Sequence, residues 1–135
     1  MSNPITDIVG VDREAAAILK SAGIRSTGRL LEAASTMKAR KRLAKETGID
    51  CKRLLCWANF ADRMRIKGIN KEHAELLGAA GVDTVRELRH RNAARLAEAM
   101  EEVNEVQEIV RLLPSEKRVG GWIEQAKKLP LMITY

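Results

Sequence analysis

The densest positive charge in the sequence lies in residues 38–45, which hold five cations and no acidic residue. On a helix, such a segment either neutralises successive phosphates of a nucleic acid or forms a solvated charged face. The local density and the absence of acids favour phosphate binding. The five candidate residues are Lys38, Arg40, Lys41, Arg42 and Lys45.

Two further charged stretches lie in the second half of the chain. A weaker basic stretch runs from Arg86 to Arg95, and an acidic stretch runs from Glu98 to Glu108. Carboxylates repel phosphates, which argues against continuous nucleic-acid contact along the acidic stretch. That stretch could instead serve as a binding surface for another protein.

Residues that commonly carry catalysis or hold metals are few and scattered. His73 and His90 have no Ser, Cys or carboxylate at a spacing typical of a catalytic triad or a metal cluster, and His73 is predicted to lie on a helix surface. Cys51 and Cys56 are five residues apart in one predicted helix, which disfavours a disulfide or a metal site and predicts buried thiols. We therefore expect no enzyme activity, no catalytic residue, no metal site and no cofactor.

The composition is typical of a globular protein. Hydrophobic residues make up 45% of the 135 residues and charged residues 31%, and no apolar run is long enough to span a membrane. Residues 1–7 are polar and contain Pro4, unlike a signal peptide, so a cytoplasmic location is expected. The net charge of +6 comes entirely from residues 1–65, since residues 66–135 are neutral, which suggests one surface directed at a polyanion.

The chain contains two related segments. A shift of 58 residues aligns Ile8–Glu14 with Ile66–Glu72, and a shift of 65 aligns Trp57 with Trp122. Such self-similarity indicates one helical unit used twice, with a junction near Met64–Lys67. Both tryptophans are expected in the core rather than stacked on bases, because their neighbours on the predicted helix are apolar.

Helix-forming residues dominate both segments, while Gly and Pro fall between periodic stretches, so an all-α fold is predicted. Helix starts follow from N-cap residues such as Asp12, Ser26 and Asn70. Thr84 and Glu87 also fit a capping box. We predict helices at Arg13–Ser21, Thr27–Ala34, Met37–Glu46, Cys51–Arg65, Lys71–Ala79, Val85–Arg89, Ala93–Val103, Val106–Leu112 and Glu116–Lys128.

The segments Ile8–Asp12 and Ile66–Asn70, each followed by a helix, resemble the helix-hairpin-helix motif, whose core is apolar-Gly-apolar-Gly. Thr47–Asp50 is similar to the same motif, and Leu113–Lys117 resembles a degenerate fourth copy. The arrangement is similar to the paired-hairpin domains of DNA repair proteins and to the C-terminal domain of the bacterial RNA polymerase alpha subunit. It is most similar to a prokaryotic family of tandem hairpin domains with no assigned activity.

This resemblance implies an all-α fold of two tandem paired helix-hairpin-helix units, of the five-helix SAM-like type, packed together. The first unit would comprise residues 1–65 and be basic, and the second would comprise residues 66–135 and be near neutral. In such hairpins, backbone N–H groups at the start of the following helix hold a phosphate oxygen without reading bases. The implied phosphate contacts are Gly10, Val11, Gly48, Ile49, Gly68 and Ile69, assisted by Arg13, Lys52, Arg53, Lys67 and Lys71.

The position of the motif's second glycine is occupied by Asp12, Asp50 and Asn70. An aspartate there caps its own helix and repels a phosphate, so a structural and a functional role stay equally open for the two hairpins that carry one. The uncharged Asn70 makes the hairpin at residues 67–71 the most credible phosphate site, whereas the net charge favours the first unit.

We expect a non-catalytic protein that binds DNA, or less readily structured RNA, with little sequence preference, through hairpin amides and the basic helix. The alternative is a protein-interaction module that keeps the hairpins as a scaffold and does not bind nucleic acid. Asp12, Asp50 and the neutral second half favour the alternative, and the cations of residues 38–45 favour nucleic acid. No membrane partner is expected, and the oligomeric state stays open.

Overall fold

The computed structural model describes residues 3–135, and these residues form eight α-helices and no β-strand. The predicted all-α class is therefore confirmed. A short 3-10 helix, Ile5–Asp7, precedes the first α-helix. The α-helices are α1 (Arg13–Ser21), α2 (Thr27–Ala33), α3 (Met37–Thr47), α4 (Cys51–Arg63), α5 (Lys71–Ala79), α6 (Val85–Leu88), α7 (Ala93–Gln107) and α8 (Glu116–Lys128).

The chain divides into two compact units. The first extends to Asp62 and also contains Leu131–Tyr135, and the second is Arg63–Pro130. The sequence places the boundary between residues 65 and 66 and assigns the last residues to the second unit. In the structure, the Arg63 side chain donates hydrogen bonds to the carbonyls of Ala74 at 3.0 Å and Asp83 at 2.7 Å, so Arg63 is held within the second unit.

Each unit buries its own apolar core. Trp57 and Trp122, predicted to be core residues, are 4% and 2% exposed, which confirms the prediction. Removal of apolar side chains from water is the main favourable contribution to folding, about 1.5–3 kcal/mol for each large side chain. The core includes Ile5, Ile8, Leu19, Leu30 and Leu54 in the first unit and Ile66, Leu77, Leu88, Leu96 and Val119 in the second.

Most helix starts lie where the sequence predicts them, because each is set by a local capping residue. Asp12, for example, accepts a hydrogen bond from the backbone N–H of Ala15 at 2.8 Å. The Thr84 capping box differs from the prediction, since the Glu87 carboxylate accepts from the Thr84 hydroxyl rather than from its backbone N–H. The same capping pattern, a side chain that accepts from the N–H three residues on, is present at Asp12, Ser26, Asn70, Thr84 and Ser115.

The predicted helix Val106–Leu112 is wrong. Helix α7 continues to Gln107 and stops at Glu108, whose φ of 48° is left-handed. The Asn104 side chain then donates to the Val110 carbonyl at 3.0 Å and accepts from the Val110 N–H at 2.9 Å. This two-way bond holds residues 108–110 in a non-helical loop.

The prediction of buried thiols is wrong for Cys56, which is exposed, while Cys51 is half-buried. Helix α4 buries Leu54 and Trp57, and position 56 lies on its solvent side. Within residues 3–135, no helix is both long enough and apolar enough to cross a membrane.

Arg40 is a core residue of the first unit, with 1% of its surface exposed. Its guanidinium donates to the Ala34 carbonyl at 2.9 Å and to the Thr134 carbonyl at 2.7 Å. The N–H of Thr134 in turn donates to the Ser35 carbonyl at 2.8 Å. A buried cation therefore attaches the last residues of the chain to the loop between α2 and α3.

Replacing Arg40 with alanine is expected to lower the free energy of unfolding by about 3 kcal/mol, because the buried carbonyl of Ala34 and the partly buried carbonyl of Thr134 lose a charged donor. Lys41→Ala, which removes an exposed cation from the same helix, should change it by less than about 0.5 kcal/mol. Urea denaturation of both variants measures the difference. Equal stabilities would show that Arg40 does not hold the unit together.

Candidate nucleic-acid interface

Four exposed cations lie on one face of α3. Lys38, Lys41, Arg42 and Lys45 are spaced at i, i+3, i+4 and i+7, and each side chain is exposed to solvent. Because successive helical residues are about 100° apart, this spacing places the four on a single stripe. Arg40 points to the opposite side and is buried, so the structure removes it from the predicted phosphate-binding residues.

The start of α1 and the turn before α4 lie side by side in the first unit. They line a shallow groove of about 240 Å³. Asp12, the cap of α1, and Glu14 contribute to one side of the groove, and Gly48, Ile49 and Arg53 contribute to the other. The two predicted turns of this unit are thus brought together. The groove also carries two carboxylates, so its charge is mixed.

Most of the backbone N–H groups predicted to hold phosphate are already engaged. Val11 donates to the Ile8 carbonyl at 3.2 Å, and Ile69 donates to the Ile66 carbonyl at 3.2 Å. Within the described part of the chain, Gly10 and Gly68 alone among the six predicted N–H groups donate no hydrogen bond. Of the remaining pair, the Gly48 N–H donates to the Ala44 carbonyl and the Ile49 N–H donates to Thr47 Oγ1.

Gly10 and Gly68 each rest against the edge of a tryptophan ring. Their φ angles are 96° and 93°, a region that favours glycine. A Cβ on Gly10 would stand 3.1 Å from Trp57 Nε1, and one on Gly68 would stand 3.1 Å from Trp122 Nε1. Glycine is therefore required at both turns for its backbone conformation and for the close approach of the indole.

An arginine lies over each of these rings. The Arg53 guanidinium is 4.9 Å from the Trp57 ring centroid, and that of Arg118 is 5.8 Å from the Trp122 centroid, both within cation–π range. The sequence prediction included Arg53 and missed Arg118. The sequence does contain a pattern that identifies Arg118, because each arginine lies four residues before its tryptophan.

The Gly68 turn is held by α8. The Gln125 side chain accepts from the Lys67 N–H at 3.0 Å and donates to the Lys67 carbonyl at 3.1 Å. Arg118 donates to the Gly68 carbonyl at 3.4 Å. The start of α8 and the turn before α5 thus lie together in the second unit.

His73 is buried, which corrects its predicted place on a helix surface. It completes a capping box with Asn70, and its ring lies 5.2 Å from that of Trp122. Burial lowers the pKa of His73 below its ordinary 6.5, and the charge of Arg118 lowers it further, against smaller opposing effects of the Gly68 carbonyl and Glu72. The imidazole is therefore neutral at pH 7 and can accept from the Asn70 N–H, 3.4 Å away.

The other predicted cations, Arg13, Lys52, Lys67 and Lys71, are exposed near the helix starts. The weaker basic stretch is partly structural, since Arg89 donates to the carbonyls of Ala126 and Leu129 in the second unit. Residues 3–135 include no group of three or more His, Cys, Asp or Glu side chains that could hold a metal ion.

A family model described as a domain of unknown function, DUF4332, matches residues 9–129 of the chain. No curated protein and no solved structure matches it.

Gly68→Ala is expected to lower the free energy of unfolding by about 2 kcal/mol, because the new Cβ meets Trp122 in a left-handed conformation. Gly121→Ala is the matched control, since a Cβ at this position of α8 meets no atom within 4 Å. It should raise the free energy by up to about 1 kcal/mol. Thermal denaturation of the two variants compares them, and equal effects would contradict the required close approach.

Proposed function

We propose that this chain, which belongs to the DUF4332 family, is a non-catalytic protein that binds DNA, or less readily structured RNA, through phosphates and with little sequence preference. The observation that carries the proposal is the stripe of Lys38, Lys41, Arg42 and Lys45 on α3. Four exposed cations on one helix face form a positively charged stripe, which attracts a polyanion. The exposed carboxylate of Glu46 lies one turn after Arg42, at the end of the stripe.

The dimensions of the stripe suit a nucleic acid. Positions i to i+7 of a helix span about 10 Å, a length over which duplex DNA presents several phosphates. Lysine and arginine at such a surface release condensed counterions when they bind. Contacts of this kind fix the protein on the backbone and do not distinguish bases, so the affinity depends on salt much more than on sequence.

We also propose that each unit is a pair of helix-hairpin-helix motifs. The proposal is supported by the groove shared by Asp12 and Gly48 in the first unit, and by the bonds from Arg118 and Gln125 to the Gly68 turn in the second. The main nucleic-acid contact is assigned to α3, because most hairpin amides predicted to hold phosphate are occupied.

Lys41→Ala combined with Arg42→Ala is expected to weaken binding to a random-sequence duplex and to lower the slope of log K against log salt by about 2. Lys127→Ala combined with Lys128→Ala removes the same charge from the exposed end of α8 and should leave the slope nearly unchanged. Fluorescence anisotropy at several salt concentrations measures both slopes.

Two results would contradict the proposal. One is the absence of binding by the unaltered chain at low salt. The other is an equal loss of slope in both double variants, which would mean that net charge alone, and not the α3 stripe, drives association.

A second candidate function is protein binding by the second unit. Val106, in the last turn of α7, and Leu112, in the loop after it, are each 84% exposed, and exposed glutamates precede Val106 on that helix. Apolar side chains beside carboxylates fit a partner that is both cationic and apolar. A second copy of the chain offers such a surface, because exposed Met37 adjoins the α3 cations.

If the chain self-associates in this way, its sedimentation coefficient should rise with protein concentration at low salt. Val106→Ser combined with Leu112→Ser should abolish the rise without loss of stability, because both side chains are exposed. Ala94→Ser, at another exposed position of α7, is the control. A monomer at every concentration would contradict self-association.

A further inference from the structure

Helix α7 carries a stripe of carboxylates that has the same spacing as the cations of α3. Four exposed glutamates occupy positions i, i+3, i+4 and i+7, and these are Glu98, Glu101, Glu102 and Glu105. Because helical residues three and four apart lie on one side, they form a single negative stripe about 10 Å long. The α7 stripe and the α3 stripe are therefore equal in length and opposite in charge.

All eight charges are available to a partner. Each of the eight side chains is exposed, and none forms an ion pair within the part of the chain that the structure describes. Like charges at i and i+4 of a helix repel each other and destabilise it. An opposite stripe on another molecule offsets this repulsion, which favours pairing of α3 with α7.

The charges at the ends of the two stripes favour an antiparallel pair. Glu46 follows the α3 cations and Arg95 precedes the α7 glutamates, and both side chains are exposed. In an antiparallel pair, the first cation of α3, Lys38, lies opposite the last glutamate of the α7 stripe, Glu105. Glu46 and Arg95 then lie at the same end and on the same flank of the pair. In a parallel pair with the stripes in register, these two side chains would be about 16 Å apart along the axis.

We infer that α3 of one copy of the chain binds α7 of a second copy in antiparallel orientation, and that this pairing excludes nucleic acid from α3. The inference rests on the proposed function for the role of α3, and it adds a means by which that surface is regulated. The same cations cannot contact phosphates and the glutamates of a second copy at once. A nucleic acid and a second copy therefore compete for one helix face.

The charge densities decide which of the two ligands is stronger. Duplex DNA carries about six negative charges over about 10 Å of its axis, whereas the α7 stripe carries four over the same length. Ion pairs between exposed side chains are weak and are screened by salt. Pairing of two copies is therefore expected at high protein concentration and low salt, and DNA should displace the second copy.

Zero-length carbodiimide cross-linking, which joins a lysine amine to a carboxylate, tests the register. Unlabelled and nitrogen-15-labelled chains are mixed, so that mass spectrometry distinguishes links between copies from links within one copy. At low salt, links between copies are expected from Lys45 to Glu98. Links from Lys38 to Glu105 are expected as well. A random-sequence duplex, at the concentration that saturates anisotropy, should lower the yield of both by about tenfold.

A charge exchange tests whether the two stripes bind each other. Lys41→Glu combined with Arg42→Glu should abolish the links between identical copies, because both stripes then carry acidic residues. Glu101→Lys combined with Glu102→Lys should do the same, because both stripes then carry cations. A mixture of the two variants contains opposite stripes again, so the links should return. Loss of links that the mixture does not restore would overturn the pairing.

A neutral variant and a matched control separate the α7 stripe from net charge. Glu101→Gln combined with Glu102→Gln should lower the yield of links by about tenfold, because half of the stripe is lost. Glu116→Gln combined with Glu124→Gln removes two exposed carboxylates of α8 and should leave the yield unchanged. At a protein concentration at which links form, the α7 variant should bind the duplex more tightly than the α8 control. Equal duplex affinities would overturn the exclusion.

The outcomes separate this inference from the proposed function. DNA binding with links that persist at saturation overturns the exclusion and leaves the function standing. Absence of links between copies at low salt overturns the inference, and anisotropy still tests the function. Links between copies without any DNA binding support the pairing and overturn the function. Links from Lys38 to Glu98 in place of Glu105 overturn the antiparallel orientation.

Discussion

The close contact between a left-handed glycine and the edge of an indole ring is the interaction on which each unit depends. It sets how nearly α4 approaches the turn before α1, and how nearly α8 approaches the turn before α5. The tryptophan is anchored in the core, its N–H edge meets the backbone, and an arginine lies over its face. Core packing, turn geometry and surface charge are therefore linked through one side chain in each unit.

Helix α3 supplies both the exposed cations of one surface and a buried arginine of the core. The residue types of positions 38–45 do not distinguish Arg40 from the other cations, but helical spacing does. Arg40 lies three residues before Leu43, on the buried face, and the other four lie on the opposite stripe. A buried guanidinium is tolerated there because two carbonyls accept from it.

The helix starts were predictable because each depends on contacts within three residues. The errors have longer-range causes. His73 is buried because the ring of Trp122, 49 residues away in the sequence, packs against it. Helix α7 ends where the Asn104 side chain forms hydrogen bonds with the loop that follows. The free amides expected at Val11 and Ile69 are engaged because the turns close on themselves, which the motif pattern does not reveal. Arg118 could have been predicted from the sequence, because the alignment of the two tryptophans pairs it with Arg53.

The last residues of the chain have a consequence for its synthesis. Leu131–Tyr135 belong to the first unit, although the whole second unit precedes them. The second unit begins and ends at neighbouring points, since Arg65 donates to the Pro130 carbonyl at 3.1 Å. Domains usually fold in the order in which the ribosome releases them. Here residues 131–135 complete the first unit, and supply the second carbonyl partner of Arg40, only after every residue of the second unit has been synthesised.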